Sequence, residues 1–170
     1  MALETMNICE GIETPIIRFR GVFDWLELYR VIKNWIASER FTPQEKKYKH
    51  KGDEVEVEVW GDKKIDTMFK HRVDVAIHVW DLKTVEIMEN GVSKKANTGK
   101  LEIVFTGKVE VDYNNTFSGG KMAEQLGKWY FAIMKNDIKK NQAGTLESDI
   151  YRLHLKVKKF LKMESDSNAQ

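Results

Sequence analysis

Residues 46–60 read KKYKHKGDEVEVEVW, and their strict alternation around Gly52-Asp53 predicts a β-hairpin. A two-residue loop that begins with Gly suits a type II′ turn, whose twist matches that of the flanking strands. Lys51 then faces Glu54, Lys49 faces Glu56 and Lys47 faces Glu58 on one side. On the other side fall His50-Val55, Tyr48-Val57 and Lys46-Val59. One face of the hairpin is charged and paired, and the other is apolar. That is the pattern of strands with water on one side and a core on the other.

The same polarity recurs beyond the hairpin. Residues 69–81 set Val73, Val75, Ile77 and Val79 against Arg72, Asp74, Ala76 and His78. Residues 100–113 set Leu101, Ile103, Phe105, Val109, Val111 and Tyr113 against Glu102, Thr106, Lys108, Glu110 and Asp112. Further strands are expected at 16–20, 83–89 and 92–96. Asn90-Gly91 is a type I′ signal, and Asn97-Thr98-Gly99 reads as another reversal. Strands joined by such short connections are antiparallel neighbours, because a parallel crossover needs a dozen residues or more.

Helices flank this run. Asp24 and Glu27 have the spacing of a capping box, and Trp25, Leu28, Ile32, Trp35 and Ile36 follow at helical spacing. After Ser118-Gly119-Gly120, a helix over about 121–140 presents Met122, Leu126, Trp129, Tyr130 and Ile133 as its core stripe. Asn141-Gln142-Ala143-Gly144 reads as a break, with Thr145 capping a last helix whose stripe is Leu146, Ile150, Leu153, Val157 and Phe160. The expected class is therefore α+β. A single antiparallel sheet of about five to seven strands has one face solvated, and an N-terminal helix and two C-terminal helices cover the other. One domain spans 1–163, with 1–13 loosely held, and 164–170 (ESDSNAQ) forms a disordered tail.

This order, strand, helix, a run of antiparallel strands, then terminal helices, resembles the helix-grip fold of START-like proteins over residues 16–163. The resemblance lies in element order alone. It implies a curved sheet around the last helix and a ligand cavity between them, for which Tyr48, His50, His71 and Tyr151 are the candidate polar groups.

The totals narrow the classes. The chain has 170 residues, 42% of them hydrophobic and 18 aromatic, enough for a real core. Its 28 basic and 26 acidic residues leave a net charge of +2, unlike the lopsided charge of a dedicated nucleic-acid binder. Lys outnumbers Arg by 22 to 6, whereas bidentate phosphate and base recognition favours Arg. Cys9 is the only cysteine, so no intrachain disulfide can form. With no signal peptide and no run of about 20 apolar residues, a cytoplasmic protein is expected.

Catalytic spacing is missing. Cys9 stands beside Glu10, which raises rather than lowers a thiol pKa. Asp74 and His78 share the wet face of one strand but lie about 13 Å apart, and zinc-type Cys/His spacing does not occur. Ser118-Gly119-Gly120-Lys121 is not a P-loop, because Asn115 stands where the first Gly is required. No cofactor and no metal are expected. Contact candidates remain. Trp60 and Trp80 have wet-face parity, with Arg72 near them on the sheet, and would form two small patches. Arg152, Lys156, Lys159 and Lys162 give the last helix a basic surface. The sequence thus points to a non-enzymatic interaction or structural protein, with a protein partner or a second copy. A START-like carrier or enzyme, and an RNA-associated protein using the basic helix, are the alternatives.

Overall fold

The computed structural model describes residues 4–7 and 15–163. The tail 164–170, and all of 1–13 except the short strand 4–7, lie outside the described residues. The elements are β1 (Glu4–Asn7), β2 (Ile16–Phe23), α1 (Trp25–Ser38), β3 (Thr42–Lys51), β4 (Glu54–Lys64), β5 (Phe69–Glu89), β6 (Val92–Val111), α2 (Lys121–Ile138), a π-helical turn (Lys139–Ala143) and α3 (Gly144–Phe160). The six described strands form one antiparallel sheet, so the chain has an α+β fold. The order across the sheet is β3-β4-β5-β6, and β6 pairs on its far side with β2 along its first half and with β1 along its second.

The 46–60 hairpin forms as its alternation requires. Lys51 pairs with Glu54, His50 with Val55, Lys49 with Glu56, Tyr48 with Val57 and Lys47 with Glu58. Gly52 takes φ +60° and Asp53 does not take a positive φ, as a II′ turn demands. The expected Lys46-Val59 pair does not form. A bulge lies between Glu45 and Lys47, so Glu45 faces Val59 instead. The extra residue bends this edge strand and puts Lys46 Nζ 2.9 Å from Glu58.

Of the two further reversals expected, one forms and one does not. Asn90 and Gly91 both have positive φ, as a I′ turn requires, but Asn97-Thr98-Gly99 is not a reversal. β6 runs straight through it, held by β5 on one side (Thr84-Asn97, Lys83-Thr98) and by β2 on the other (Phe23-Asn97, Val22-Thr98, Gly21-Gly99). The irregularity lies in β5, between Trp80 and Lys83. There Asp81 takes φ 56° and Leu82 N–H donates to Asp53 O at 2.8 Å, docking the bulge on the hairpin turn. A Cβ on Gly99 would lie 2.8 Å from Trp80 O, so glycine is what lets the two backbones approach.

The covered face carries the core. Asp24 caps α1 by accepting from Glu27 N–H at 3.0 Å, and Trp25, Leu28, Ile32, Trp35 and Ile36 are buried. From the sheet come Val55, Val57, Val59, Val75, Ile103 and Phe105, and from α3 come Leu146, Ile150, Leu153 and Val157. Tyr48 and His50 share the parity of this face but remain exposed. They stand on the edge strand, where the cover thins, and Tyr48 is met only edge-on by Tyr29 of α1 at 6.3 Å.

The C-terminal third departs most from expectation. Asn141 to Gly144 does not break the helix. Gly144 keeps helical angles (φ −62°, ψ −38°), and α2, the π turn and α3 follow one another without a gap. Thr145 caps nothing, because its hydroxyl donates back to Asn141 O at 2.7 Å inside the helix. The stripe expected for α2 also points the wrong way. Gly127, Phe131 and Ile138 are buried and Met134 packs on the core, whereas Met122, Leu126, Trp129 and Ile133 face solvent. Ile138 and Leu146, both buried, are eight positions apart, where two α-helical turns hold about seven. The π turn absorbs the extra residue. That keeps the 127/131/138 face in line with the α3 stripe and turns the other apolar face outward.

Candidate functional site

The solvated sheet face carries a row of charged and polar side chains that spans five strands. Lys49 pairs with Glu56, Glu56 with His78, His78 with Glu102 and Glu102 with Arg18. His78 Nε2 lies 2.5 Å from Glu54 Oε1 and 3.9 Å from Glu56 Oε1, and its ring stacks on Trp80 with centroids 3.8 Å apart. Arg18 Nε donates to Glu102 at 2.7 Å. Lys47 bonds the second oxygen of Glu56, which raises the lysine pKa and lowers that of the carboxylate.

One carboxylate oxygen each from Glu54 and Glu56 and one ring nitrogen of His78 lie within 4.8 Å of one another. Such a set matches the donors of a divalent transition metal. Its surroundings do not favour a cation, because Lys47 already holds Glu56 and Lys49 stands opposite it. The cluster is best described as a self-neutralised ion-pair lattice. Strand parity alone places His78 with Asp74 on the same face of β5. The true neighbours come from β4, and the β4–β5 register that brings them together has no local motif.

The tryptophans of the sheet are already partnered within the chain. Arg72 lies over the Trp60 ring at 3.8 Å, and Trp80 stacks on His78. Both indoles are half-buried on the wet face, and Trp60 pairs with Asp74, six positions from Trp80 along β5. On α3, Arg152 is committed to Asp149 and lies 3.6 Å from Glu39. Lys156, Lys159 and Lys162 are exposed. Of the four proposed pocket groups, Tyr48, His50 and Tyr151 are exposed and His71 is buried.

His71 belongs to a polar cluster where β4 and β5 meet the π turn. Its Nε2 is 2.9 Å from Gln142 Oε1, its Nδ1 has no hydrogen-bond partner, and burial lowers its pKa. Because Gln142 Oε1 can only accept, Nε2 carries the proton and Nδ1 is bare. Close by, the buried Asp149 lies 3.6 Å from Lys63 Nζ, which also donates to Glu39 O at 3.2 Å. These bonds fasten the middle of the long helix to the sheet.

Among the described residues, the outward face of α2 is the longest apolar line left without a partner. Met122, Leu126, Trp129 and Ile133 are 88%, 56%, 65% and 58% exposed, and they form one line along the helix. Lys121, Lys128 and Lys135 run beside it at intervals of seven, all exposed. The base of the helix is organised by Asp112. Its buried carboxylate accepts from Thr116 N–H at 2.6 Å and Phe117 N–H at 3.1 Å, and Phe117 packs against Tyr130 at 5.8 Å. The helical spacing of Met122, Leu126, Trp129 and Ile133 predicts a core stripe, and the structure turns that stripe outward. The signal that separates the two faces is the eight-residue step across the π turn.

No described helix is long and apolar enough to cross a membrane. Comparison with protein-family models, with curated proteins and with solved structures found no match to this chain.

Proposed function

We propose that this chain is a non-enzymatic interaction protein whose working surface is the apolar ridge of α2. The observation that carries this reading is the exposed line of Met122, Leu126, Trp129 and Ile133 on a helix whose opposite face is packed into the core. The most extended apolar patch on a soluble protein, rimmed by polar residues, is often its contact site. Tryptophan in such a patch is the residue type that most often dominates binding energy. The stripe is narrow, one residue wide, which fits the seam of a helix–helix contact. A helix lying in a lipid interface presents a broader apolar face. On the sheet face Lys47, Glu54, Glu56, His78, Glu102 and Arg18 are engaged with one another, and no chemistry is routed through them. A single cysteine supports placing this activity in the reducing cytoplasm.

A photo-crosslinking residue at position 129 tests the proposal in cells that make the protein. The expected result is a discrete protein adduct at 129 that is absent with the same probe at Glu86, an exposed site on β5. Equal, diffuse labelling at both positions would remove the ridge as a contact surface.

A further inference from the structure

From the ridge geometry we infer that its occupant is a second copy of this chain, docked antiparallel about a two-fold axis between Leu126 and Trp129; this rests on reading the ridge as a contact surface. The first argument is spacing. Met122, Leu126, Trp129 and Ile133 are separated by four, three and four residues, the d-a-d-a spacing of a coiled-coil seam. That series reads the same in both directions. Reversing one copy sets Leu126 against the other copy's Trp129 and Met122 against its Ile133, so the bulky indole meets a smaller side chain. A parallel pairing would force Trp129 onto its own counterpart.

The second argument is charge. The positions flanking the seam are Ala123, Gln125, Tyr130 and Ala132, none of them charged at neutral pH. In the antiparallel pair Gln125 lies beside the other copy's Ala132, and Ala123 beside its Tyr130. Identical copies therefore meet without repulsion at the seam and its immediate flanks, while a charged partner finds nothing on those flanks to recognise. Lys121, Lys128 and Lys135 stand one column further out. The two-fold places both lysine columns on the same side of the pair, well separated and screened at physiological salt. Two antiparallel helices also oppose their dipoles. The eight seam and flanking residues of each copy make a contact smaller than the roughly 20–30 residues a side of a standard interface, so the dimer is expected to dissociate in the micromolar range.

The test uses the full chain. Sedimentation velocity across a concentration series should show the mass rising from 19.8 kDa toward twice that value, with added salt leaving association unchanged or stronger. Trp129→Glu and Leu126→Glu should each remain monomeric with an unaltered far-ultraviolet spectrum, because both side chains are exposed. In a Cys9→Ser background, a mixture of Gln125→Cys and Ala132→Cys chains should form a disulfide between the two variants more readily than either alone. Self-crosslinking of Gln125→Cys alone would overturn the antiparallel arrangement. A dimer that survives Trp129→Glu overturns the inference, and so does a parent chain monomeric at every concentration. In the monomeric case the adduct at position 129 decides the broader reading. Another protein there keeps the ridge as a contact surface. Ridge-dependent binding to phosphatidylserine vesicles replaces the second copy with a membrane.

Discussion

His71 shows how much one buried side chain can be asked to do. It is almost inaccessible, it holds Gln142 of the π turn through Nε2, and its Nδ1 has no partner. A proton on Nδ1 would place a charge in this site near Lys63, so burial lowers the folded pKa below the ordinary value of about 6.5. The sign of the pH effect follows. The unfolded chain takes the proton first on acidification, so the contribution of His71 is full above about pH 6.5 and is lost as pH falls through the folded value. Urea unfolding at pH 7.5 and pH 5.5 should show lower stability at the acidic point, and His71→Gln should flatten that difference. An equal pH response in both proteins would place the effect elsewhere, with His154, whose pKa burial also lowers, as the next group to examine. Nothing in the sequence around residue 71 announces this role. Parity predicted an inward imidazole, but its partner lies 71 residues away.

At the scale of elements, the strands and α1 were legible because each has one apolar face. Val73, Val75, Ile77 and Val79 can be buried in only one way, and so can Trp25, Leu28, Ile32, Trp35 and Ile36. α2 has two apolar faces, one through Met122, Leu126, Trp129 and Ile133 and one through Gly127, Phe131, Met134 and Ile138. Periodicity cannot choose between them; the junction with α3 does. A pair of substitutions reads the orientation directly. Phe131→Ala should cost about 3 kcal/mol, the usual range for a buried phenylalanine, whereas Trp129→Glu should change monomer stability by less than about 0.5 kcal/mol. Denaturant titration at low protein concentration makes the comparison, and the reverse ranking would turn the helix over. The misread reversal at Asn97-Thr98-Gly99 has the same origin. Its Gly and Asn are turn residues by type, but here Gly99 serves the close approach of the β5 bulge and Asn97 accepts from Trp25 N–H at 3.2 Å. Gly99→Val should therefore destabilise the fold by about 1–3 kcal/mol, measured in the same titration, and a neutral result would show that the bulge can move aside.

Across the whole molecule, the sheet divides two kinds of stabilisation. The covered face is apolar packing interrupted by the polar cluster around His71. The wet face is a lattice of half-exposed ion pairs, each contributing little when removed singly. Lys47→Ala should accordingly shift stability by less than about 1 kcal/mol, even though Lys47 bonds Glu56 and also approaches Glu58 at 4.0 Å. A larger loss in thermal unfolding would mean that the lattice acts cooperatively. This division was visible in residues 46–60 alone, because alternation fixes which side is wet. The ridge was not visible as a surface, because its exposure is set by how a helix some 60 residues further on is threaded into the core. Local sequence carries the polarity of an element, and only the assembled chain carries its orientation.

The π turn has a consequence for how this chain tolerates change in length. It stores one residue more than an α-helix of the same span would hold, without altering which faces α2 and α3 present. Removing the exposed Lys140 should let the segment relax into an ordinary α-helix, with Trp129 still outward and Leu146 still inward. Removing a residue from the regular turns of α2 instead would rotate everything N-terminal to it by about 100°. The helix therefore has a single slack link, and the loss of one residue there is a change of length it can accept without exchanging its inner and outer faces.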